Sequence, residues 1–164
     1  MRDYVLTAFV FSLVPVCLFK PWIGIIVWYW LGVMNPHRLT YAFAFDMPFA
    51  LWIGGATLAG TFFAQDRKPI PWNRELVVLG LLTGYFLFTT LFAWAPAEAW
   101  DQFEKVLKII LMTLVATMFI YGKGRIRALL LTVTLSVGLY GVKGALFAIR
   151  TGGGERVNGP EGSF

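Results

Sequence analysis

Apolar residues in this chain fall into long blocks with few polar interruptions, at positions 4–19, 22–34, 48–64, 76–94, 106–121 and 128–149. An amphipathic helix of a water-soluble protein would show a polar position every three to four residues, and these blocks do not. They therefore predict membrane helices, about six of them, arranged as an all-α polytopic bundle. The first two blocks are short. Sixteen and thirteen residues rise about 24 and 20 Å as α-helix, less than the ~30 Å hydrocarbon core. Only Lys20-Pro21 separates them, so the pattern allows either a tight hairpin of two short spans or one bent segment. Trp22, Trp28, Tyr29 and Trp30 supply an aromatic belt, and local thinning of the bilayer makes the hairpin workable.

Small residues mark where helices can approach. Gly80 and Gly84 form a GxxxG pair in the fourth block, Gly55–Ala59 and Ala56–Gly60 do the same in the third, and Gly138, Gly141 and Gly144 line one side of the sixth. Close backbone approach is what holds helices together in lipid, within one chain or between two copies.

Composition strengthens the membrane reading. Hydrophobic residues make up 58% of 164 positions and charged residues 14%, against about 25% charged in a soluble domain. Mean hydropathy is +0.68. The net charge of +5 resides mostly in loops, where it bears on topology and anionic headgroups before nucleic acid. The single cysteine, Cys17, lies inside the first block and excludes an intrachain disulfide. No small-x-small cleavage site follows that block, so it reads as a retained span.

Two compact basic loops set the orientation: 66–75, and Lys123-Gly-Arg125-Ile-Arg127, which has no acid. An even number of spans separates them, and the positive-inside rule puts both in the cytoplasm, with Lys20 if the first two blocks form a hairpin. The stretches 35–46 and 95–105 and the C-terminal tail then face outward.

Candidate chemistry is sparse. Lys143 lies inside the last apolar block, where a lysine costs about 2.5–3.5 kcal/mol on insertion scales. It either serves a polar cavity or partner, or snorkels to the outer interface. His37 and Arg38, in Met34-Asn-Pro-His-Arg-Leu-Thr40, pair a titratable donor with a planar fork suited to phosphate, or belong to a solvated loop in which Asp46 pairs with Arg38. Trp94 to Lys108 reads as an interfacial helix entering the fifth span. Pro96 suits its first turn, Asp101–Lys105 and Glu104–Lys108 are i,i+4 pairs, and Trp100 and Phe103 form an aromatic edge. Lys105 and Lys108 are secondary candidates for a lipid-linked pyrophosphate. The tail after Arg150 carries Gly152-Gly-Gly154 and Gly159-Pro-Glu-Gly162, loops that could wrap an anion with backbone N–H groups, without a Walker or dinucleotide pattern. One histidine and one cysteine support neither a metal cluster nor a Ser/His/Asp set, so the residue inventory contains no complete active site.

Three segments resemble the N-terminal domain of the exosortase A system-associated O-glycosylation ligases, relatives of the O-antigen ligases and polymerases. They are Met34-Asn-Pro-His-Arg-Leu-Thr-Tyr-Ala-Phe-Ala-Phe-Asp-Met-Pro-Phe49, Ala99-Trp-Asp-Gln-Phe-Glu-Lys-Val-Leu-Lys-Ile-Ile-Leu-Met-Thr113, and Tyr140-Gly-Val-Lys-Gly-Ala-Leu-Phe147 with the glycines through Phe164. The resemblance implies a multi-pass protein of the bacterial inner membrane that moves a glycan from an undecaprenyl-diphosphate carrier to a periplasmic acceptor. It implies no metal or cofactor. It also implies that 1–150 is an N-terminal transmembrane domain and 151–164 a periplasmic connector toward a ligase domain beyond Phe164. No catalytic role carries over to this chain. Lys143, Arg38, His37, Lys105, Lys108 and Arg150 are the expected substrate-side contacts, and membrane lipids and the ligase domain are the expected partners. A reading of another class is a small non-enzymatic membrane protein, transporter-like or an assembly subunit, in which Lys143 would mark a translocation path.

Overall fold

A computed structural model describes residues 2–36, 43–45 and 47–153. Among them the chain is all-helical: α1 (Arg2–Phe19), α2 (Pro21–Met34), α3 (Phe49–Phe63), α4 (Arg74–Leu91), α5 (Pro96–Phe119) and α6 (Gly122–Arg150), with a short 3-10 turn at Phe43–Phe45. The breaks follow local chemistry. Pro21 opens α2 and forces Lys20 out of helical geometry, to φ −131° and ψ 79°, so α1 stops. Asn35 ends α2 in the left-handed region, at φ 43°, its N–H returning to the Leu31 carbonyl. Between α5 and α6 the chain turns through Gly122 at φ 76°, a conformation open mainly to glycine.

The helices fall into two compact units. One comprises α1, α2, α3 and α6, the other α4 and α5. In the first, side-chain pairings give the directions. Phe9 meets Trp30 edge-on at 6.1 Å, two residues nearly equidistant from Lys20, so α1 and α2 form an antiparallel hairpin and not one bent helix. Phe11 meets Trp52, and Gly60 lies against the carbonyl of Leu18, so α3 runs parallel to α1. Gly24 lies against Thr57 and Gly54 against Trp28, which makes α3 antiparallel to α2. The core sits between these three helices and contains Val10, Cys17, Leu31, Phe49 and Ile53, with Ala44 of the 3-10 turn. Along the outer side of α2 lies α6, parallel to it, with Arg125 over Trp22 and Tyr140 at Met34.

In the second unit α4 and α5 form an antiparallel pair. The Lys68 N–H donates to the Met118 carbonyl at 3.1 Å, satisfying one of the acceptors that a helix end leaves open. The Tyr121 hydroxyl donates to the Asp66 carbonyl, and the Lys68 ammonium stands 4.3 Å from the Tyr121 ring centroid. The 66–75 loop is thereby tied over the end of α5.

Two helices, α4 and α6, are long and apolar enough to cross a membrane, and only 6% of the apolar stretch of either is buried. The core helix of a soluble protein would be mostly covered. Leu81, Tyr85, Phe88, Leu130, Leu135 and Ile149 instead stand open, a surface suited to lipid tails. Several hydroxyl groups turn inward on the backbone, as suits an apolar surrounding: Thr57, Thr83, Thr90, Thr132 and Ser136 each donate to the carbonyl four residues earlier. The other three helices of the first unit are shorter than α6, at 18, 14 and 15 residues. The last 18 residues of α5 contain Glu104, Lys105 and Lys108. The described residues thus carry the all-helical class and two helices long and apolar enough to span a membrane; the six-helix crossing is taken up below.

The expected glycine contacts are redistributed. Gly60 is used as anticipated, against the Leu18 backbone, and the other closely packed glycines are Gly24 and Gly54, whereas Gly55, Gly80, Gly84, Gly138 and Gly141 have nothing within 4 Å of an added Cβ. A small-residue pair offers close approach only where its face turns to a neighbour. Gly60→Ala would drive a methyl group into the Leu18 backbone, which cannot rotate away, and should destabilise the protein by about 1–3 kcal/mol. Gly84→Ala should change stability by less than about 0.5 kcal/mol. Unfolding titrations in mixed micelles would separate the two, and equal effects would refute this packing.

Candidate functional site

The first and third resemblance segments meet at one end of the first unit. The Tyr140 hydroxyl of α6 donates to the carbonyl of Met34, the last residue of α2. The Trp30 indole N–H donates to the Met34 sulfur at 3.1 Å. With the Asn35 N–H returning to Leu31 and Pro36 buried, the exit of α2 is held by three independent contacts. The bond to Tyr140 occupies a carbonyl that a helix C-terminus leaves without a partner.

Lys143 follows one turn after Tyr140 and is exposed, its ammonium 6.0 Å from the Tyr140 ring centroid. It forms no ion pair with a described residue. Its position along α6 bears on the choice between cavity and interface. The 29 residues of α6 rise about 43 Å, some 13 Å more than the hydrocarbon core. Lys143 stands seven residues before the helix end, about 10 Å along the axis. A four-carbon stem covers much of that distance, a reach compatible with snorkelling past the end of the apolar stretch. Arg150 lies two turns on, on the same face, and is also exposed. Arg150, in the last turn, complements the negative end of the α6 dipole.

Gly152 and Gly153 terminate α6. Gly152 takes φ 65°, and the Gly153 N–H returns to the Ala148 carbonyl at 2.9 Å while that of Thr151 returns to Phe147. This is the Schellman stop of a helix, and it commits the Gly153 donor to the backbone. His37, Arg38 and Asp46, and the tail from Gly154 onward, lie outside the described residues.

Lys105 and Lys108 belong to the second unit. Pro96 occupies the first turn of α5 as expected, and Trp100 meets Phe103 edge-on at 5.8 Å. Of the two anticipated ion pairs, Glu104–Lys108 forms at 2.6 Å, while Asp101–Lys105 is not among the ion pairs of the described residues. Where α4 ends and α5 begins, the two helices leave a groove of about 320 Å³ walled by Phe86, Thr90, Ala93, Ala99, Phe103 and Val106. Neither lysine lines it; both are exposed. The groove escaped sequence reasoning because it depends on helix pairing. Tyr140 did carry a legible signal, since a tyrosine hydroxyl in an apolar span needs an acceptor.

Among the described residues no group of three or more His, Cys, Asp or Glu side chains could hold a metal ion. The chemistry on display is cationic and hydrogen-bonding, suited to holding an anion.

Two outcomes follow from these contacts. Tyr140→Phe strands the Met34 carbonyl and should cost about 1 kcal/mol, with faster hydrogen exchange at the Asn35 amide; unchanged exchange there would contradict the clamp. The Lys108 hydrogen bond, and then its charge, hold the Glu104 carboxyl below its ordinary value. A lowered folded-state value means the pair is fully formed above the ordinary carboxylate range and lost as pH falls through the depressed value. Lys108→Gln should raise the Glu104 titration midpoint, read by carboxyl-carbon NMR in micelles.

Comparison with known proteins yields one family. Residues 1–158 match the family of unknown function DUF5935. No curated protein and no solved structure matches significantly. With nearly its whole length covered, the chain belongs to the family of unknown function DUF5935.

Proposed function

We propose that this chain is the N-terminal membrane portion of a glycan ligase, acting with a ligase domain on an undecaprenyl-diphosphate-linked glycan at the periplasmic face of a bacterial inner membrane. All six helices cross the bilayer in this reading, the short α1–α3 group by thinning the membrane around itself. The portion supplies a scaffold and the phosphate side of the substrate groove. Activation of the acceptor hydroxyl lies outside it, and no residue here is assigned a catalytic role.

The Tyr140–Met34 hydrogen bond carries the reading. It joins two of the three segments on which the resemblance rests, and it joins them beside Lys143 and Arg150. Two exposed cations on one helix face suit a diphosphate: charge-assisted hydrogen bonds to phosphate oxygens are roughly twice as strong as neutral ones. His37 and Arg38 follow Met34 by three and four residues and extend the same proposal along the chain. Lys105 and Lys108 remain secondary candidates.

In the full-length gene product, Lys143→Ala with Arg150→Ala should lower glycan transfer about tenfold or more at equal membrane abundance, the loss expected for charge-assisted contacts. Lys123→Ala, at the other end of α6, should leave transfer intact. Unchanged transfer in the double variant would end the phosphate-contact assignment. A reporter fused after Phe164 should be active only when periplasmic; cytoplasmic activity would reverse the orientation.

A further inference from the structure

The opposite end of the first unit carries a separate constellation. Lys20 occupies the single-residue turn between α1 and α2 and is exposed. Lys123 and Arg127 stand one turn apart on one side of α6 at its start, both exposed. Arg125 reaches to α2, its guanidinium carbon 5.3 Å from the Trp22 ring centroid. That contact puts the first turns of α6 level with the Lys20 turn. Phe19 closes α1 at the same level, and Phe62 and Phe63 close α3; each is at least 80% exposed. Asp3, the acid among the described residues of this unit, begins α1 and so lies at the other end of the bundle.

These cations do nothing for the helix that bears them. The first turn of α6 holds no acid, and positive side chains near the positive end of a helix dipole are unfavourable. Lys123 and Arg127 also repel each other at i,i+4 spacing. Anions from outside the unit relieve both. The aromatic residues indicate which anions. Three open phenylalanines gain nothing beside a soluble phosphate, but they fit the upper acyl-chain region just below a headgroup layer, where tryptophan also concentrates.

We propose that this end of the unit is a docking surface for anionic phospholipid headgroups. Lys20, Lys123 and Arg127 meet the lipid phosphates, Phe19, Phe62 and Phe63 enter the chains beneath them, and the Trp22–Arg125 stack keeps α2 and α6 in register so that the cations share one level. Each cation near an anionic surface is worth about fivefold in affinity. The inference concerns the end of the bundle away from Tyr140 and does not rest on the ligase reading.

Thermal unfolding of the full chain in neutral detergent tests it, with phosphatidylglycerol, phosphatidylcholine or inorganic phosphate added at equal concentration. Phosphatidylglycerol should raise Tm by about 4 °C, and the other two by less than about 1 °C. The triple variant Lys20→Gln, Lys123→Gln, Arg127→Gln should lose most of that rise. Lys123→Gln alone, an exposed change compatible with the fold, should lose part of it and serves if the triple variant does not fold. An equal rise with phosphatidylcholine would reduce the effect to general lipid solvation, and an equal rise with inorganic phosphate would make it a soluble-anion effect; either overturns the proposal. So does a rise undiminished in the variants.

Discussion

Helices in lipid gain little by hiding apolar surface from one another, because lipid tails are as apolar as the side chains. What holds them is close contact, and in this protein the closest contacts lie where α3 enters the α1–α2 hairpin. Gly24 admits Thr57, and Gly60 admits the backbone of Leu18. Both contacts need the absence of a Cβ. Around them the core closes on Val10, Cys17, Leu31, Phe49 and Ile53. The position of α2 follows from this packing, and α6 takes its own place from α2 through Trp22 and Met34. The two ends of the unit inherit their composition from that order.

Those ends are chemically unlike. One gathers the exit of α2, the Tyr140 hydroxyl, Lys143 and Arg150. The other gathers Lys20, the three cations that open α6, and exposed phenylalanines. Arg150 at the C-terminal end of α6 agrees with its dipole, whereas cations at its start oppose it. The same residue types therefore stabilise the helix at one end and call for an external anion at the other. A helix of 29 residues is long enough to place both sets at the edges of a ~30 Å hydrocarbon core.

Much of this was legible along the chain. Blocks of apolar residues marked all six helices because few polar residues interrupt them. Pro21 and Pro96 marked helix starts because a missing N–H is harmless there. The Glu104–Lys108 pair and the Trp100–Phe103 edge were readable from helical spacing alone. The glycines were harder. Gly80 and Gly84 have the sequence signature of a contact and make none within the described chain, while Gly24 has no such signature and meets Thr57. Spacing along a helix says which residues share a face, but not which face has a neighbour.

By itself, then, the sequence determined the helical class, the places where helices begin and end, and which residues carry charge, because these depend on local hydrogen bonding and hydropathy. Only the tertiary structure decided that α1 and α2 fold back as a hairpin, that Tyr140 reaches Met34 across more than a hundred residues, and that Gly24 and Gly60 are the glycines that admit a neighbour. Those outcomes depend on which surfaces fit together in three dimensions, and a one-dimensional pattern of apolar residues is compatible with several such fits.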